Sequence, residues 1–100
     1  EYIFSRQIEG LGREGDALLA ISTSGNSKNV LEALRAAKAK NMRTVLLTGG
    51  TGGQIIQNHS ALVDASVIVP DQETARIQEC HIMIGQIFCA MIEKQMFGFD

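Results

Sequence analysis

The sequence is short of several things, and each shortage removes a class of function. It has no run of basic residues: nine Lys and Arg stand against eleven Asp and Glu, for a formal net charge of −2. That balance supplies no electrostatic footprint for nucleic acid or for an anionic membrane. No stretch approaches the roughly 18 apolar residues of a membrane span, and the opening EYIFSRQIEG has no apolar core of signal-peptide length. Only two cysteines occur, Cys80 and Cys89. On one helix their spacing sets them ~13 Å apart, beyond disulfide reach. They are expected as buried small hydrophobes in a reducing, cytoplasmic setting. There is one proline, Pro70, and no repeat, low-complexity tract or internal linker, so one small domain at most is expected. No Walker pattern is present, which argues against a nucleoside triphosphate.

What is present alternates between two periods. Asp16 to Ser22 (DALLAIS) is a short apolar run bounded by Gly15 and a serine-rich turn, as a buried parallel strand requires. Asn26 or Ser27 then caps a helix to about Lys40, with Val30, Leu31, Leu34 and Ala37 on its apolar side and Asn41 as a left-handed stop. Thr44 to Thr48 reads as a second strand, Gln54 to Asn58 as a short helix, and Ala65 to Val69 as a third strand. A long helix follows from about Gln72 to Gln95, with Ile77, His81, Ile84, Phe88, Met91 and Gln95 along a seam. A further amphipathic helix opens the chain, carrying Ile3, Phe4, Ile8 and Leu11. Strands separated by helices predict an α/β three-layer sandwich with a parallel sheet of about three strands.

The segment STSGNS, Ser22 to Ser27, places four hydroxyls, one glycine and one asparagine where a strand meets a helix. Ligands of open α/β sheets bind outside the carboxyl ends of the strands, and a helix N-terminus offers unpaired N–H groups to an anion. Ser22, Thr23, Ser24 and Ser27 add neutral donors, and Gly25 lets the backbone bend around a bound group. This is the donor set of a phosphate monoester. The competing reading is that the hydroxyls only cap a helix and close a turn. GGTGG, Gly49 to Gly53, is expected as a flexible turn rather than a second anion nest. His59 is expected in a solvated polar loop, and His81 as a core histidine with its hydrogen bonds made.

Together, GREGDALLAISTSGNSKNV, LLTGGTGG and TARIQECHIMIGQIFCAMIEKQMFG resemble the sugar isomerase (SIS) domain family, and within it the phosphoheptose isomerases. The resemblance runs along essentially the whole chain. It implies a five-stranded parallel sandwich, of which residues 1–100 would be the C-terminal part of a single domain about twice as long. It implies interconversion of sedoheptulose 7-phosphate and D-glycero-D-manno-heptose 7-phosphate, a precursor step for lipopolysaccharide, by a cytoplasmic homotetramer with one zinc per active site. On the same ground Ser22, Ser24 and Ser27 grip the substrate phosphate with Thr23 between them, and Gln78 of RIQE serves both substrate and zinc.

One position departs from the family pattern. The family has a histidine eight residues after that glutamine, serving metal and proton transfer, and here Gln86 occupies this catalytic and metal-binding place. Isomerisation through an enediol needs a group that accepts and returns a proton, which an amide cannot do, although its oxygen can reach a metal. His81, one turn from Gln78, is the alternative ligand. The expected function is therefore a phosphosugar isomerase. The alternative is a non-catalytic SIS-domain protein that binds phosphosugar or the replication initiator.

Overall fold

The structure, a computed structural model, describes residues 2–98. Helix α1 (Ile3–Leu11) leads into strand β1 (Ala17–Ser22), helix α2 (Lys28–Ala39) and strand β2 (Arg43–Gly49). Helix α3 (Gly53–His59), a single 3-10 turn (Ser60–Leu62), strand β3 (Ala65–Val69) and helix α4 (Thr74–Phe97) complete the chain. The three strands lie in the order β1-β2-β3, all parallel, with Ala17 opposite Arg43 and Val45 opposite Ala65. Every predicted element is present. Only the ends move, by one or two residues.

Period-two alternation sorts the sheet into two faces of unequal quality. Leu18, Ala20 and Leu46 point toward α2 and α3, where they pack with Val30, Leu34 and Ile55. Leu34 and Leu46 are sealed completely. The other face meets α4: a side chain on Gly49 would collide with Ile77, so this glycine lets the helix approach β2 closely. On that face Leu47 is fully buried, but Leu19 and Ile21 of β1 remain 44% and 52% exposed. The sandwich is complete on one side and closed only near the carboxyl end of β2 on the other.

Helix α2 ends as its sequence predicts. Asn41 takes φ 60, and the Met42 N–H donates to Ala37 O while the Asn41 N–H donates to Lys38 O, a Schellman closure. The long-helix seam is covered only in part. Ile77 and His81 are buried, Ile84 and Phe88 half-buried, and Met91 and Gln95 exposed. Cys89 is exposed and Cys80 half-buried, which corrects the expectation that both lie in a core. The periodicity of α4 is real, but no layer of the described residues covers its second half. No helix of the described residues is long and apolar enough to cross a membrane.

One polar clamp ties β2 to the strand that follows. Asp64 accepts from the Thr44 N–H at 2.8 Å and pairs with Lys38 at 2.6 Å, while Thr44 Oγ1 donates to Leu62 O. The Lys38 ammonium and the Thr44 N–H hold the Asp64 carboxyl below its ordinary value of 3.8. A carboxylate with a depressed folded pKa contributes stability that is complete above its unfolded pKa and lost as pH falls through the folded one. Asp64→Asn should therefore lower the urea midpoint at neutral pH. The gap to the parent protein should close on acidification below about pH 4. A gap unchanged at low pH would show that packing, not charge, accounts for the loss.

Candidate functional site

The three strand ends and the loops that leave them enclose a cleft of about 290 Å³. Thr23, Ser24 and Asn26 form one wall, Gly49, Gly50, Thr51 and Gly53 the floor, and Asp71, Gln72 and Thr74 the opposite side. This is the carboxyl end of a parallel sheet, where the backbone topology gathers loops from successive crossovers. Asp71, Gln72, Thr74 and Thr51 were not singled out from sequence. The rule that placed STSGNS after β1 would have found them after β2 and β3.

Within STSGNS the hydroxyls have an internal job. Ser22 Oγ accepts from the Gly25 N–H at 3.1 Å, Ser24 Oγ from the Asn26 N–H at 3.1 Å, and Ser27 Oγ from the Val30 N–H at 3.3 Å. Ser27 is thus the N-cap of α2. A hydroxyl has one proton and two lone pairs, so a serine that accepts from its own loop still has its proton to donate. The capping turn is therefore compatible with an anion socket, because each hydroxyl that accepts within the loop keeps a proton to donate. Ser22 is buried at the strand end, Ser27 is half-buried at the helix start, and Thr23 and Ser24 face the cleft itself. The Lys28 and Asn29 N–H groups of the first turn of α2 add helix-terminal donors beside them.

GGTGG is a turn, as expected, and it packs against the serine loop. Gly50, Gly52 and Gly53 all take positive φ, and a Cβ on Gly53 would lie 2.2 Å from Ser24 O. The first N–H groups of α3 are already taken by the serine loop: Gln54 donates to Asn26 Oδ1 at 2.9 Å and Ile55 to Gly25 O at 3.0 Å. The two loops interlock backbone to backbone. His59 closes α3 and is half-buried rather than lying free in a loop.

The α4 residues fall apart from the cleft. Gln78 lines a separate recess with Ile21, His81, Ile82 and Gly85. Gln86 is exposed and lines neither space. On this unbroken helix it is turned by roughly 80° from Gln78 and set ~12 Å further along. His81 is 4% exposed, and its Nε2 lies 2.8 Å from Thr48 O. Its Nδ1 is shut from solvent without a partner among the described residues. The histidine has the core position expected of it, but only one of its nitrogens is bonded.

No three His, Cys, Asp or Glu side chains among the described residues come together to hold a metal. With Gln86 turned away from Gln78 and His81 enclosed, these residues do not by themselves fit a zinc ion, for which two neutral amides are a poor donor set. Among the described residues, Asp71 is the one titratable side chain on the cleft wall. Its Oδ1 accepts from the Glu73 N–H at 2.8 Å.

The SIS domain family matches residues 1–49. A phosphoheptose isomerase of Leptospira biflexa is 45% identical over all 100 residues, which cover 49% of that protein. The phosphoheptose isomerase of Sulfurimonas denitrificans is 49% identical over 96 residues, 96% of this chain and 47% of that protein. The chain belongs to the SIS-domain family. Solved structures agree with the fold of this SIS-domain chain. A phosphoheptose isomerase from Neisseria gonorrhoeae superposes with a TM-score of 0.83 at 46% identity, over 91% of this chain and 50% of that one. One from Francisella tularensis gives 0.84 at 38% identity, over 92% of this chain and 50% of that one. The chain spans about half the length of the relatives it matches, and the likeness over that half runs from α1 into α4.

Proposed function

We propose that this chain is the phosphate-gripping part of a phosphosugar isomerase acting between sedoheptulose 7-phosphate and D-glycero-D-manno-heptose 7-phosphate. The observation that carries the reading is the serine loop. Its hydroxyls accept inward from their own backbone and keep their protons for a guest, at the carboxyl end of a parallel sheet and beside a helix N-terminus. Identity of 45–49% to phosphoheptose isomerases along nearly the whole chain supports the substrate class. Gln78 supplies at most one amide oxygen to a zinc ion, and the other donors lie outside these residues. Assembly as a tetramer in the cytoplasm, within lipopolysaccharide precursor synthesis, belongs to the same reading. The apolar surface of α4 at Ile87, Met91 and Ile92 favours association.

The test is direct. The complete protein, supplied with zinc, is expected to bind sedoheptulose 7-phosphate and to isomerise it, as followed by proton exchange at the substrate. Ser24→Ala removes one donor from the cleft and is expected to weaken binding by roughly three- to tenfold. No binding of the sugar phosphate by the parent protein would overturn the proposal.

A second reading rests on Gln86, which puts an amide where the family pattern has imidazole. In that reading the protein binds phosphosugar, or a replication initiator, without turnover. Tight binding with no isomerisation at saturating zinc would select it.

A further inference from the structure

Asn26 lines the cleft, yet its side-chain oxygen is committed elsewhere, to the Gln54 N–H at the start of α3. We propose that Asn26 is a positioning residue: by capping α3 it holds the serine loop in the shape that presents hydroxyl protons to a phosphate. The functional consequence rests on the sugar-phosphate reading, whereas the mechanical claim can be tested without it.

Helix α3 has no other side-chain cap, since its own N-cap residue is Gly52. Its free N–H groups are met by Asn26 Oδ1 and, one residue on, by Gly25 O. The anchor at the other end is Ile55, which is 1% exposed and packs in the core with Leu34 and Leu46. A continuous mechanical path therefore runs from the core through α3 to Asn26, and so to Ser24 and Ser27 on either side of it. The glycines make the path short. A Cβ on Gly53 would come within 2.7 Å of Asn26 Oδ1, so a side chain there would push the cap away. The choice of asparagine also has a chemical reason. Aspartate would cap equally well but would set a negative charge beside a phosphate, whereas the amide caps without charge.

The experiment uses three variants of the complete protein: Asn26→Ala, Asn26→Asp and Gln54→Pro. The last removes the donor of the cap from outside the cleft, in the first turn of α3 where proline breaks no bond within the helix, and its ring displaces the Asn26 amide that the N–H had held. Two quantities are read: amide hydrogen exchange across residues 23–27, and affinity for sedoheptulose 7-phosphate with the split between KM and kcat. Gln54→Pro is expected to speed exchange in the loop by roughly three- to tenfold and to raise KM comparably, with kcat within about twofold. Asn26→Ala should match it in exchange. Asn26→Asp should keep the loop protected while losing affinity, a separation that a purely structural role would not produce.

Weakened binding in Asn26→Ala with Gln54→Pro unchanged would overturn the proposal, because Asn26 would then touch the ligand directly. Unchanged exchange in both would overturn it equally. Should Gln54→Pro fail to fold, Asn26→Asp decides, with lost loop protection as the contrary result. Should the parent protein bind no sugar phosphate, the function proposed above fails, and exchange alone decides whether Asn26 positions the loop.

Discussion

Gly25→Ala is expected to abolish sugar-phosphate binding and to cost on the order of 3–5 kcal/mol of stability, near the top of the range for a single substitution. Two effects add. Gly25 has φ +71, a left-handed conformation that costs an L-residue about 1–2 kcal/mol. The larger effect is steric: the new Cβ would lie 1.9 Å from Gly52 O and 2.4 Å from Gly52 C. Those atoms are backbone, so no rotamer change relieves the contact, and the serine loop must separate from the glycine loop. That separation breaks the Gly25 O to Ile55 hydrogen bond and displaces Asn26 as well. Urea unfolding and a sugar-phosphate titration check it. Gly10→Ala is the matched control: it lies in α1 with open space around its Cα, and is expected to be neutral or to stabilise by up to about 1 kcal/mol. A Gly25→Ala protein of parental stability would mean that the two loops do not pack as described.

On the isomerase reading, segments beyond these residues must bring substrate to the outer face of α4, because residue 86 lines neither the cleft nor the recess beside Gln78. Gln86→His is then expected to raise isomerase turnover of the complete protein by roughly 10²–10⁴-fold, the usual contribution of a positioned general acid–base. The substitution should be well tolerated, because residue 86 is exposed on a regular stretch of α4. Imidazole supplies what the amide lacks, a proton exchanged near neutral pH. The gain should accordingly carry a new pH dependence with an apparent pKa near about 6.5. Turnover that does not change would place the base on another residue. A gain independent of pH would show that the histidine works by holding a metal rather than by moving a proton.

Much of the fold was legible because its signals are local. The apolar runs at β1, β2 and β3, the polar stripe of α2 and the Asn41 stop all act within a few residues of themselves. Asn41 takes the conformation its position demands. What escaped the sequence depends on contacts between distant segments. Asn26 and Gln54 are 28 residues apart, and nothing in either stretch announces that one caps the other. GGTGG reads as a flexible turn because glycines are usually counted as freedom. Here they are absences of side chain that let two backbones touch. The cysteines were misplaced for a related reason: an apolar seam predicts burial only where a neighbouring layer exists, and at Cys89 none is described.

The uneven docking of α4 has a mechanical consequence. At about 1.5 Å per residue its 24 residues extend roughly 36 Å, yet its fully buried contacts, Ile77 and His81, fall within the first two turns. The helix is held at the end that forms a wall of the cleft, and among the described residues no layer buries Met91, Ile92 and Met96 further along it. The root that lines the cleft, Thr74 and Ile77, is therefore the part of α4 that the described residues hold in place.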